Sequence, residues 1–471
     1  MRKTKIICTL GPSTDKPGVI EKLVEAGMNV ARLNFSHGTR EEQLERINQV
    51  KRVREELKVP VGILLDTKGP EIRIGMFEDG KVTLKEGQEF TLTTREIMGN
   101  NKIVSVSFER LPEYLKKGDK ILADDGLIEL QVERIEGDDI VCVAVNGGKL
   151  SNKKSINLPG IHIEMPYMTE KDREDIIFGI ENGVDFIAAS FVRSKEDILD
   201  IKKIFEEKNE KMIKIIAKIE NQEGVNNADE ILAEANGIMI ARGDLGVEIS
   251  FEKLPGIQKK LIKKCYAAGK MAITATQMLD SMIHNPRPTR AEVSDVANAV
   301  YDGTSAIMLS GETAAGEYPV ESVKVMSAIA TETENAIHYD TRFLKENVKN
   351  KSVTDAVSHA ACTTAIDVKA KGIVTVTHTG HAARMISKFR PNCPIIAATT
   401  SERTYNQLAL SWGVIPTMNT LADTTDVLFY LAVQRAKETG MFEQGDILVV
   451  TGGSAVEMSG TITTLKVVEI R

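Results

Sequence analysis

The chain has 471 residues, which is more than one hydrophobic core normally supports, so we expect two to four domains. Its formal net charge of -7 argues against a surface that binds the phosphate backbone of nucleic acids, although a local basic pocket for a small phosphorylated ligand stays compatible with it. Five cysteines without a C-x-x-C pair, and no apolar run long enough for a signal peptide or a membrane span, predict a protein of the reducing cytoplasm that binds no membrane.

Short apolar runs that end in polar residues recur along the chain. Most of them alternate with amphipathic segments such as PGVIEKLVEAG and EDILDIKKIFEEK. Eight such runs predict eight β–α units and therefore a (β/α)8 TIM barrel. An open doubly wound sheet is the alternative that this count leaves open. The runs cover residues 4–12, 29–38, 61–70, 184–194, 214–224, 236–246, 271–280 and 305–316.

Two stretches depart from this rhythm. Residues 71–166 alternate apolar and polar side chains between Gly and Asp turns, which predicts a small β domain inserted after the third barrel strand. An insertion at that point lies over the active face of a barrel, where a lid is useful. After about residue 340, further strand patterns alternate with helical segments. We therefore expect a catalytic barrel (1–70 and 167–340), an inserted β lid (71–166) and a C-terminal α/β domain (341–471).

Chemistry is expected where the predicted barrel strands end, because the carboxyl ends of the strands form the active face. In the stretch KIIAKIENQEG, Lys218 and Glu220 are two residues apart, so they leave the same face of the strand. Asp244 follows the next strand. Two carboxylates with few histidines or thiols nearby favour Mg²⁺, and Lys218 beside them suits a substrate with several negative oxygens. A structural salt bridge at the barrel rim is the plainer alternative.

A second group of strand-end residues offers oxygens but only one charge. It consists of Asn34, Ser36, Asp66 and Thr67. A monovalent-cation site and hydrogen-bonded loop ends both fit this group, and residue types alone favour the loop ends. In the last predicted domain, the segment THTGHAARMISK follows a strand and begins a helix. Thr377, Thr379 and the Gly380 backbone are candidates for a phosphate site there, with a capping loop as the alternative.

Seven motifs occur in an order and spacing that resemble one known family. They are ARLNFSHG, LDTKGPEIR, KIENQEG, ARGDLGVE, TATQMLDSM, NPRPTRAE and MLSGETAAG. The chain resembles pyruvate kinase over its whole length, most densely in the predicted barrel. The resemblance implies a (β/α)8 barrel, a small β-barrel lid inserted after the third strand and a C-terminal α/β regulatory domain. It also implies transfer of a phosphoryl group from phosphoenolpyruvate to ADP, which gives pyruvate and ATP in the last step of glycolysis.

The resemblance implies a role for each matching residue. Lys218 would neutralise charge on the phosphoryl group in transfer, Arg32 would contact the same group, and Thr276 lies in the motif associated with protonating enolpyruvate. The substrate would meet Arg32, Gly243, Asp244 and Thr276. Mg²⁺ or Mn²⁺ would bind Glu220 and Asp244. The nucleotide would face Asn34, His37, Arg73 and Lys154, although Lys153 is an adjacent alternative to Lys154.

The resemblance also changes the interpretation of the weaker groups. Asn34, Ser36, Asp66 and the Thr67 carbonyl match the family's K⁺ site. Family members with Glu at the position of Glu71 tend to need K⁺, whereas members with Lys there tend not to, because the lysine ammonium can replace the monovalent cation. Since this chain has Glu71, we expect K⁺ dependence. Thr377, Thr379, Gly380 and the final loop SGTITT match an effector pocket for a sugar phosphate or a nucleotide. The resemblance further implies a homotetramer.

Two other kinds of function stay open on the residues alone: another Mg²⁺-dependent or Schiff-base TIM-barrel enzyme that acts on an enolate, and a catalytically inactive sensor. A Schiff-base lyase would use Lys218 as nucleophile, which requires a lowered pKa, whereas neighbouring Glu220 favours a raised one unless a metal takes up that charge. A catalytically inactive sensor of phosphorylated metabolites would not need the complete set of Lys218, Glu220, Asp244 and Thr276.

Overall fold

The structure is a computed structural model that describes residues 1–345, 352–453 and 461–471. The start of the loop SGTITT, residues 459–460, therefore lies outside the described residues. The chain forms the three regions that the sequence pattern predicts: a barrel, a β lid inserted into the barrel sequence, and a C-terminal α/β region.

The barrel begins with three buried strands that alternate with two helices. They are β1 (Lys5–Thr9), α1 (Val19–Ala26), β2 (Val30–Asn34), α2 (Arg40–Leu57) and β3 (Gly62–Asp66). Nearly every residue of these strands is buried, as expected for parallel strands that are covered on both faces. Helix α2 starts at a capping box, in which Thr39 and Glu42 each accept the other's backbone N–H.

The lid follows β3 directly. It comprises β4 (Ile72–Arg73), β5 (Lys81–Leu84), β6 (Glu89–Thr93), β7 (Ile103–Ser105), α3 (Leu111–Tyr114), β8 (Lys120–Ala123), β9 (Ile128–Glu136), β10 (Asp139–Ala144), β11 (Gly148–Ser151) and β12 (Ser155–Asn157). Seven strands form one sheet in the order β4-β12-β8-β9-β10-β6-β7, and β11 pairs with β5. Alternating buried side chains such as Phe90 and Leu92 give the lid a hydrophobic cluster of its own.

The chain then returns to complete the barrel. The remaining elements are α4 (Glu170–Glu181), β13 (Phe186–Ala189), α5 (Lys195–Glu207), β14 (Lys214–Ile219), α6 (Gln222–Asn226), α7 (Ala228–Glu234), β15 (Gly237–Ala241), α8 (Arg242–Glu248), α9 (Leu254–Ala267), β16 (Met271–Ala275), α10 (Arg290–Asp302), β17 (Ala306–Leu309), α11 (Gly311–Ala314) and α12 (Pro319–Asn335), with 3-10 turns at Phe251–Lys253 and Asp280–Ile283. Eight parallel strands close in the order β1-β17-β16-β15-β14-β13-β3-β2. The barrel prediction is confirmed, and each of the eight apolar runs supplies one strand.

The last region is an α/β sheet. It contains α13 (Tyr339–Lys345), α14 (Val353–Asp367), β18 (Gly372–Val376), α15 (His381–Ser387), β19 (Ile395–Thr399), α16 (Glu402–Gln407), a 3-10 turn (Leu408–Leu410), β20 (Val414–Met418), α17 (Thr425–Glu438), β21 (Ile447–Gly452) and β22 (Thr464–Glu469). The order is β20-β19-β18-β21-β22, and only β22 runs antiparallel to its neighbour. Separate hydrophobic clusters fill the three regions, while the domain bounds at residues 71, 167 and 341 stay a prediction.

Two further observations concern the protein as a whole. All five cysteines are free thiols, and four of them are buried. Within residues 1–345, 352–453 and 461–471, no helix combines the length and the apolar character needed to cross a bilayer.

Candidate active site

The Lys218 ammonium is the centre of a buried polar cluster at the carboxyl ends of β3, β13 and β14. Its Nζ lies 3.0 Å from Asp66 Oδ1 and 3.0 Å from Glu220 Oε1, and it donates to Ser190 Oγ at 2.7 Å. The Lys218 side chain is only 11% exposed. The structure thus brings Lys218 and Glu220 together, as their spacing on the strand predicts, and adds two partners from neighbouring strands.

Arg32 forms the second cationic group of this cluster. Its Nε donates to Asp66 Oδ2 at 2.6 Å, and its Nη1 donates to Thr9 Oγ1 at 2.9 Å. Asp66 therefore lies between two cations. Burial alone would raise the pKa of Asp66, but the charges and hydrogen bonds of Arg32 and Lys218 hold it below its ordinary value. The carboxylate stays ionised and fixes both cations at the end of the barrel.

The charge state of Lys218 bears directly on its chemistry. Burial alone would lower the pKa of Lys218, but Asp66 and Glu220, with Asp244 beyond them, raise it above its usual value against the opposing charge of Arg32. The side chain is therefore a fixed cation at neutral pH. A nucleophilic amine needs the opposite shift, which argues against a Schiff-base role.

Glu220 and Asp244 lie at the ends of adjacent strands, β14 and β15. Burial raises the pKa of Glu220 to about 7, with Lys218 opposing this shift and Asp244 adding to it. Burial also raises the pKa of Asp244, and the carboxylates of Asp125 and Glu71 act in the same direction while Lys218 opposes them. Neighbouring buried carboxylates of this kind are a donor set that a divalent cation would stabilise.

The donor set also limits what the protein itself can offer a metal. The Phe191 N–H donates to Glu220 Oε2 at 2.7 Å and so fixes the orientation of that carboxylate. In the part of the chain that the structure describes, no group of three or more His, Cys, Asp or Glu side chains is arranged to hold a metal ion. Two carboxylates fit Mg²⁺ or Mn²⁺ when substrate oxygens and water supply the other positions.

The four residues of the second group lie together at the ends of β2 and β3. Asn34 and Asp66 are register partners across the two strands. Asn34 Oδ1 accepts from the Ser36 N–H at 3.1 Å, and the Thr67 carbonyl accepts from Ser190 Oγ at 2.6 Å. One carboxylate among amide, hydroxyl and carbonyl oxygens fits a weakly charged cation such as K⁺.

Thr276 adopts an unusual backbone conformation immediately after β16. Its φ is 71°, and that of Gln277 is 52°. A β-branched residue in the left-handed region costs about 1–3 kcal/mol and persists only where its surroundings hold it there. The Gly243 N–H donates to Thr276 Oγ1 at 2.7 Å. The structure therefore joins two groups that the resemblance assigns to the substrate: the Gly243 amide and the Thr276 hydroxyl.

The expected nucleotide contacts lie at the junction of barrel and lid. His37 is exposed after β2. The Arg73 guanidinium pairs with Glu71 Oε2 at 2.7 Å and also donates to the Lys153 carbonyl at 2.7 Å. Lys154 pairs with Asp124 of the lid at 2.7 Å. The two lysines thus differ, because Lys153 contributes its backbone carbonyl and has an exposed side chain whereas the Lys154 side chain forms an ion pair.

A cleft of about 450 Å³ lies between the lid and the barrel. Asn157 and His162 line it from the lid side, while Phe191, Asn221 and Asp244 line it from the barrel side. The cleft and the Lys218 cluster meet at Asp244. Asp244 is therefore the residue at which the buried cluster borders an open space between the lid and the barrel.

The candidate effector loop joins β18 to α15. Thr377 is buried and its N–H donates to the Ala398 carbonyl at 3.0 Å. Thr379 offers its carbonyl to Arg384 Nη1 at 3.3 Å. Gly380 has a φ of 76°, and a Cβ there would lie 2.7 Å from the same Nη1 atom. The left-handed backbone favours glycine at this position, and the loop sits against the half-buried side chain of Arg384.

Sequence reasoning missed two residues of the cluster and gave a third no role. Ser190 and Thr9 bind Lys218 and Arg32 through their hydroxyls. Each lies inside an apolar run, where a small hydroxyl residue carries little signal. Arg242 stands at a strand end, but its contacts come from Asp295 on α10 and from the backbone that follows β16, both more than 30 positions along the chain.

Two family models match the chain. One, described as pyruvate kinase, barrel domain, matches residues 1–323, and the other, described as pyruvate kinase, alpha/beta domain, matches residues 355–468. The chain belongs to the pyruvate kinase family. The resemblance inferred from the seven motifs is thereby confirmed.

Similar proteins extend over nearly the whole chain. A pyruvate kinase of Sporosarcina psychrophila is 50% identical over 99% of this chain and 80% of its own length. One from Clostridium acetobutylicum is 49% identical over 99% of both chains. A crystal structure of a pyruvate kinase from Cryptosporidium parvum superposes with a TM-score of 0.94 at 41% identity, covering 100% of this chain and 96% of its own. Barrel, lid and α/β region are thus shared with pyruvate kinases as one arrangement.

Proposed function

We propose that the protein is a cytoplasmic phosphotransferase that moves the phosphoryl group of phosphoenolpyruvate to ADP, giving pyruvate and ATP. The observation that carries this proposal is the Lys218 ammonium, held between Asp66 and Glu220 at the active face of a barrel whose relatives are named pyruvate kinase. A fixed cation is what a transferring phosphoryl group needs, because charge on its oxygens must be stabilised in the transition state.

Arg32 and Lys218 would bind the phosphoryl group from two sides. Asp66 bonds both cations, so their separation is set before the substrate arrives. Preorganised charges stabilise the transition state without rearranging during the reaction. Mg²⁺ or Mn²⁺ at Glu220 and Asp244 would supply further positive charge to the same oxygens. The protein's part is thus to hold two cations and two carboxylates around one group.

Thr276 and Gly243 would act on the other end of the substrate. We assign the Gly243 N–H and the Thr276 hydroxyl to the substrate carboxylate, and the Thr276 region to protonation of enolpyruvate. The 2.7 Å hydrogen bond from the Gly243 N–H to Thr276 Oγ1 supports the assignment, because it places both groups within reach of one carboxylate. That carboxylate would accept from the Gly243 N–H and, once the Thr276 hydroxyl turned away from the Ala275 carbonyl, from the hydroxyl as well.

The nucleotide and the monovalent cation would bind on the β2–β3 side. We assign Asn34, His37, Arg73 and Lys154 to ADP. K⁺ at Asn34, Ser36, Asp66 and the Thr67 carbonyl would add charge beside the phosphoryl site. The shared residue Asp66, which also binds Arg32 and Lys218, supports a direct electrostatic effect of this cation on the catalytic cluster.

Regulation and assembly are assigned by family membership. We propose that Thr377, Thr379 and Gly380 contribute to a site for a sugar phosphate or a nucleotide, and that the protein is a homotetramer. Activation curves with sugar phosphates and AMP test the effector site. Sedimentation equilibrium tests the homotetramer.

One assay tests the central proposal: phosphoenolpyruvate, ADP and Mg²⁺, with and without K⁺, coupled to pyruvate detection. We expect pyruvate and ATP in equal amounts, with the rate increased by K⁺. No product in any combination, including with candidate effectors, would favour an inactive sensor. Trapping of a substrate adduct on Lys218 by borohydride would instead favour the Schiff-base alternative.

A further inference from the structure

Arg242 lies on the active face, yet every nitrogen of its guanidinium is occupied by the protein. Nη1 donates to Asp295 Oδ1 at 2.7 Å, and Nη2 lies 2.6 Å from Asp295 Oδ2. Nη2 also donates to the Thr276 carbonyl at 2.8 Å, and Nε donates to the carbonyls of Ala275 and Thr276, each at 3.3 Å. The side chain is only 10% exposed. Arg242 is therefore not a free cation for substrate.

The contacts of Arg242 converge on Thr276 and its neighbours. The Arg242 side chain holds the Thr276 carbonyl, while the N–H of the next residue, Gly243, holds the Thr276 hydroxyl. Consecutive residues thus fix both polar ends of one threonine. Thr276 and Gln277 both have a positive φ, which is an unfavourable backbone conformation for residues other than glycine. We therefore expect this segment to relax to another conformation if the hydrogen bonds from Arg242 and Gly243 were removed.

Asp295 orients the guanidinium from the opposite side. It lies on α10, and its two oxygens bind two different nitrogens of Arg242, a fork geometry that lysine cannot reproduce. The same helix anchors the chain beyond Thr276, because Glu292 accepts from the backbone N–H and the hydroxyl of Ser281 at 2.7 and 2.6 Å. The segment after β16 is therefore held to α10 at two points.

We propose that Arg242 and Asp295 are a positioning pair that sets Thr276 for the proton-transfer half of the reaction. This inference rests on the proposed function. In that half-reaction, C3 of enolpyruvate takes up a proton to form a C–H bond, and the C2 oxygen becomes a carbonyl. Arg242 touches neither carbon, so its effect on this step passes through the Thr276 backbone.

The pair should act on proton transfer more than on phosphoryl transfer. Lys218 and Arg32 would hold the phosphoryl group, and both are fixed by Asp66 on the opposite side of the barrel end from Asp295. Enolpyruvate that leaves the enzyme turns into pyruvate in solution. ATP formation can therefore continue when the protonation step on the enzyme is impaired.

The test compares two rates in Arg242→Lys and Asp295→Asn. The first is ATP formation from phosphoenolpyruvate and ADP. The second is exchange of the methyl hydrogens of added pyruvate for deuterium in D₂O, followed by NMR with the metal ions and inorganic phosphate present and without phosphoenolpyruvate, so that ketonisation of released enolpyruvate does not contribute. We expect the exchange rate to fall roughly 10- to 100-fold, the usual effect of a small misplacement, and ATP formation to fall much less. Asp295→Asn keeps the side-chain volume at a partly exposed position, so this variant still tests the proposal if Arg242→Lys folds poorly.

Glu210→Gln is the matched control. It breaks another arginine–carboxylate pair, with Arg403 at 2.8 Å, at the amino-end side of the barrel. We expect it to leave the ratio of exchange to ATP formation unchanged. A proportional loss of both rates in the Arg242 and Asp295 variants would overturn the proposal, as would an unchanged exchange rate. If the parent protein forms no ATP at all, the proposed function fails, and the positioning role falls with it.

Discussion

Replacing Ser190 with alanine tests whether the predicted cation site and the phosphoryl lysine are physically linked. The Ser190 hydroxyl accepts from Lys218 Nζ at 2.7 Å and lies 2.6 Å from the Thr67 carbonyl, to which it donates. It also lies 3.1 Å from Asp66 Oδ1. One small hydroxyl therefore touches the lysine, the shared carboxylate and a proposed K⁺ ligand.

The size of the effect follows from the bond that is lost. A hydrogen bond to a charged group contributes about 1.5–3 kcal/mol, which corresponds to about 10- to 150-fold in kcat if it is needed in the transition state. Because Asp66 and Glu220 still hold Lys218, we expect a value near the lower end. The Thr67 carbonyl also loses its donor, so the K⁺ concentration for half-maximal rate should change in the same variant.

The assay is the coupled measurement of pyruvate formation over a range of K⁺ concentrations at saturating phosphoenolpyruvate, ADP and Mg²⁺. Ser387→Ala is the matched control, because Ser387 is buried and donates to the Trp412 carbonyl at 2.7 Å in the C-terminal region. If Ser190→Ala keeps kcat and the K⁺ response of the parent, the reasoning that links the two sites is wrong.

Three further changes test separate parts of the site. Lys218→Met should abolish phosphoryl transfer but leave Mn²⁺ affinity equal or higher, because the ammonium lies 3.0 Å from Glu220; a large loss of affinity in a Mn²⁺ titration followed by electron paramagnetic resonance would contradict this. Glu71→Lys should reduce the K⁺ requirement, and an unchanged requirement in the coupled assay would refute that explanation. Lys5→Met should stabilise the fold most at and below about pH 7, because burial lowers the pKa of Lys5 to about 7 and the unfolded chain keeps the ordinary value of 10.5. Between pH 7 and pH 10.5 the folded parent loses the Lys5 proton before the unfolded chain does, so the stability of the parent rises with pH. The difference in stability between variant and parent should therefore shrink toward pH 10, which urea unfolding midpoints at several pH values would measure.

The eight barrel strands are predictable because their pattern is local. Each run is a short apolar segment that ends in polar residues, which is the pattern expected of a parallel strand buried on both faces. The two-residue period of a strand likewise suffices to place Lys218 and Glu220 on one face. In the C-terminal sheet, β20 and β22 give weaker signals because they are edge strands with mixed burial.

The partners of these residues are not predictable, because they depend on contacts across the barrel. Ser190 lies inside an apolar run and becomes informative only when β13 is set beside β3 and β14. Asp295 lies 53 positions after Arg242, and no local pattern links the two residues. The ion pair of Lys154 with Asp124 depends on the folded lid. The K⁺ role of the second group came from the family resemblance, since residue types alone favoured loop ends, whereas the carboxylates of Glu220 and Asp244 indicated Mg²⁺ without it.

The balance of charges in the Lys218 cluster bears on the order in which ligands bind. Two cations, Arg32 and Lys218, face three carboxylates, Asp66, Glu220 and Asp244, which leaves one net negative formal charge when all are ionised. Because the pKa of Glu220 is raised to about 7, partial protonation of this carboxyl at neutral pH brings the cluster close to neutrality. Phosphoenolpyruvate carries both a phosphate and a carboxylate, so these five side chains alone offer it little net attraction. Each cation bound at Glu220 and Asp244, or beside Asp66, would add positive charge and strengthen the attraction of the cluster for the substrate. Electrostatics thereby favours binding of the inorganic cations before that of the organic anion.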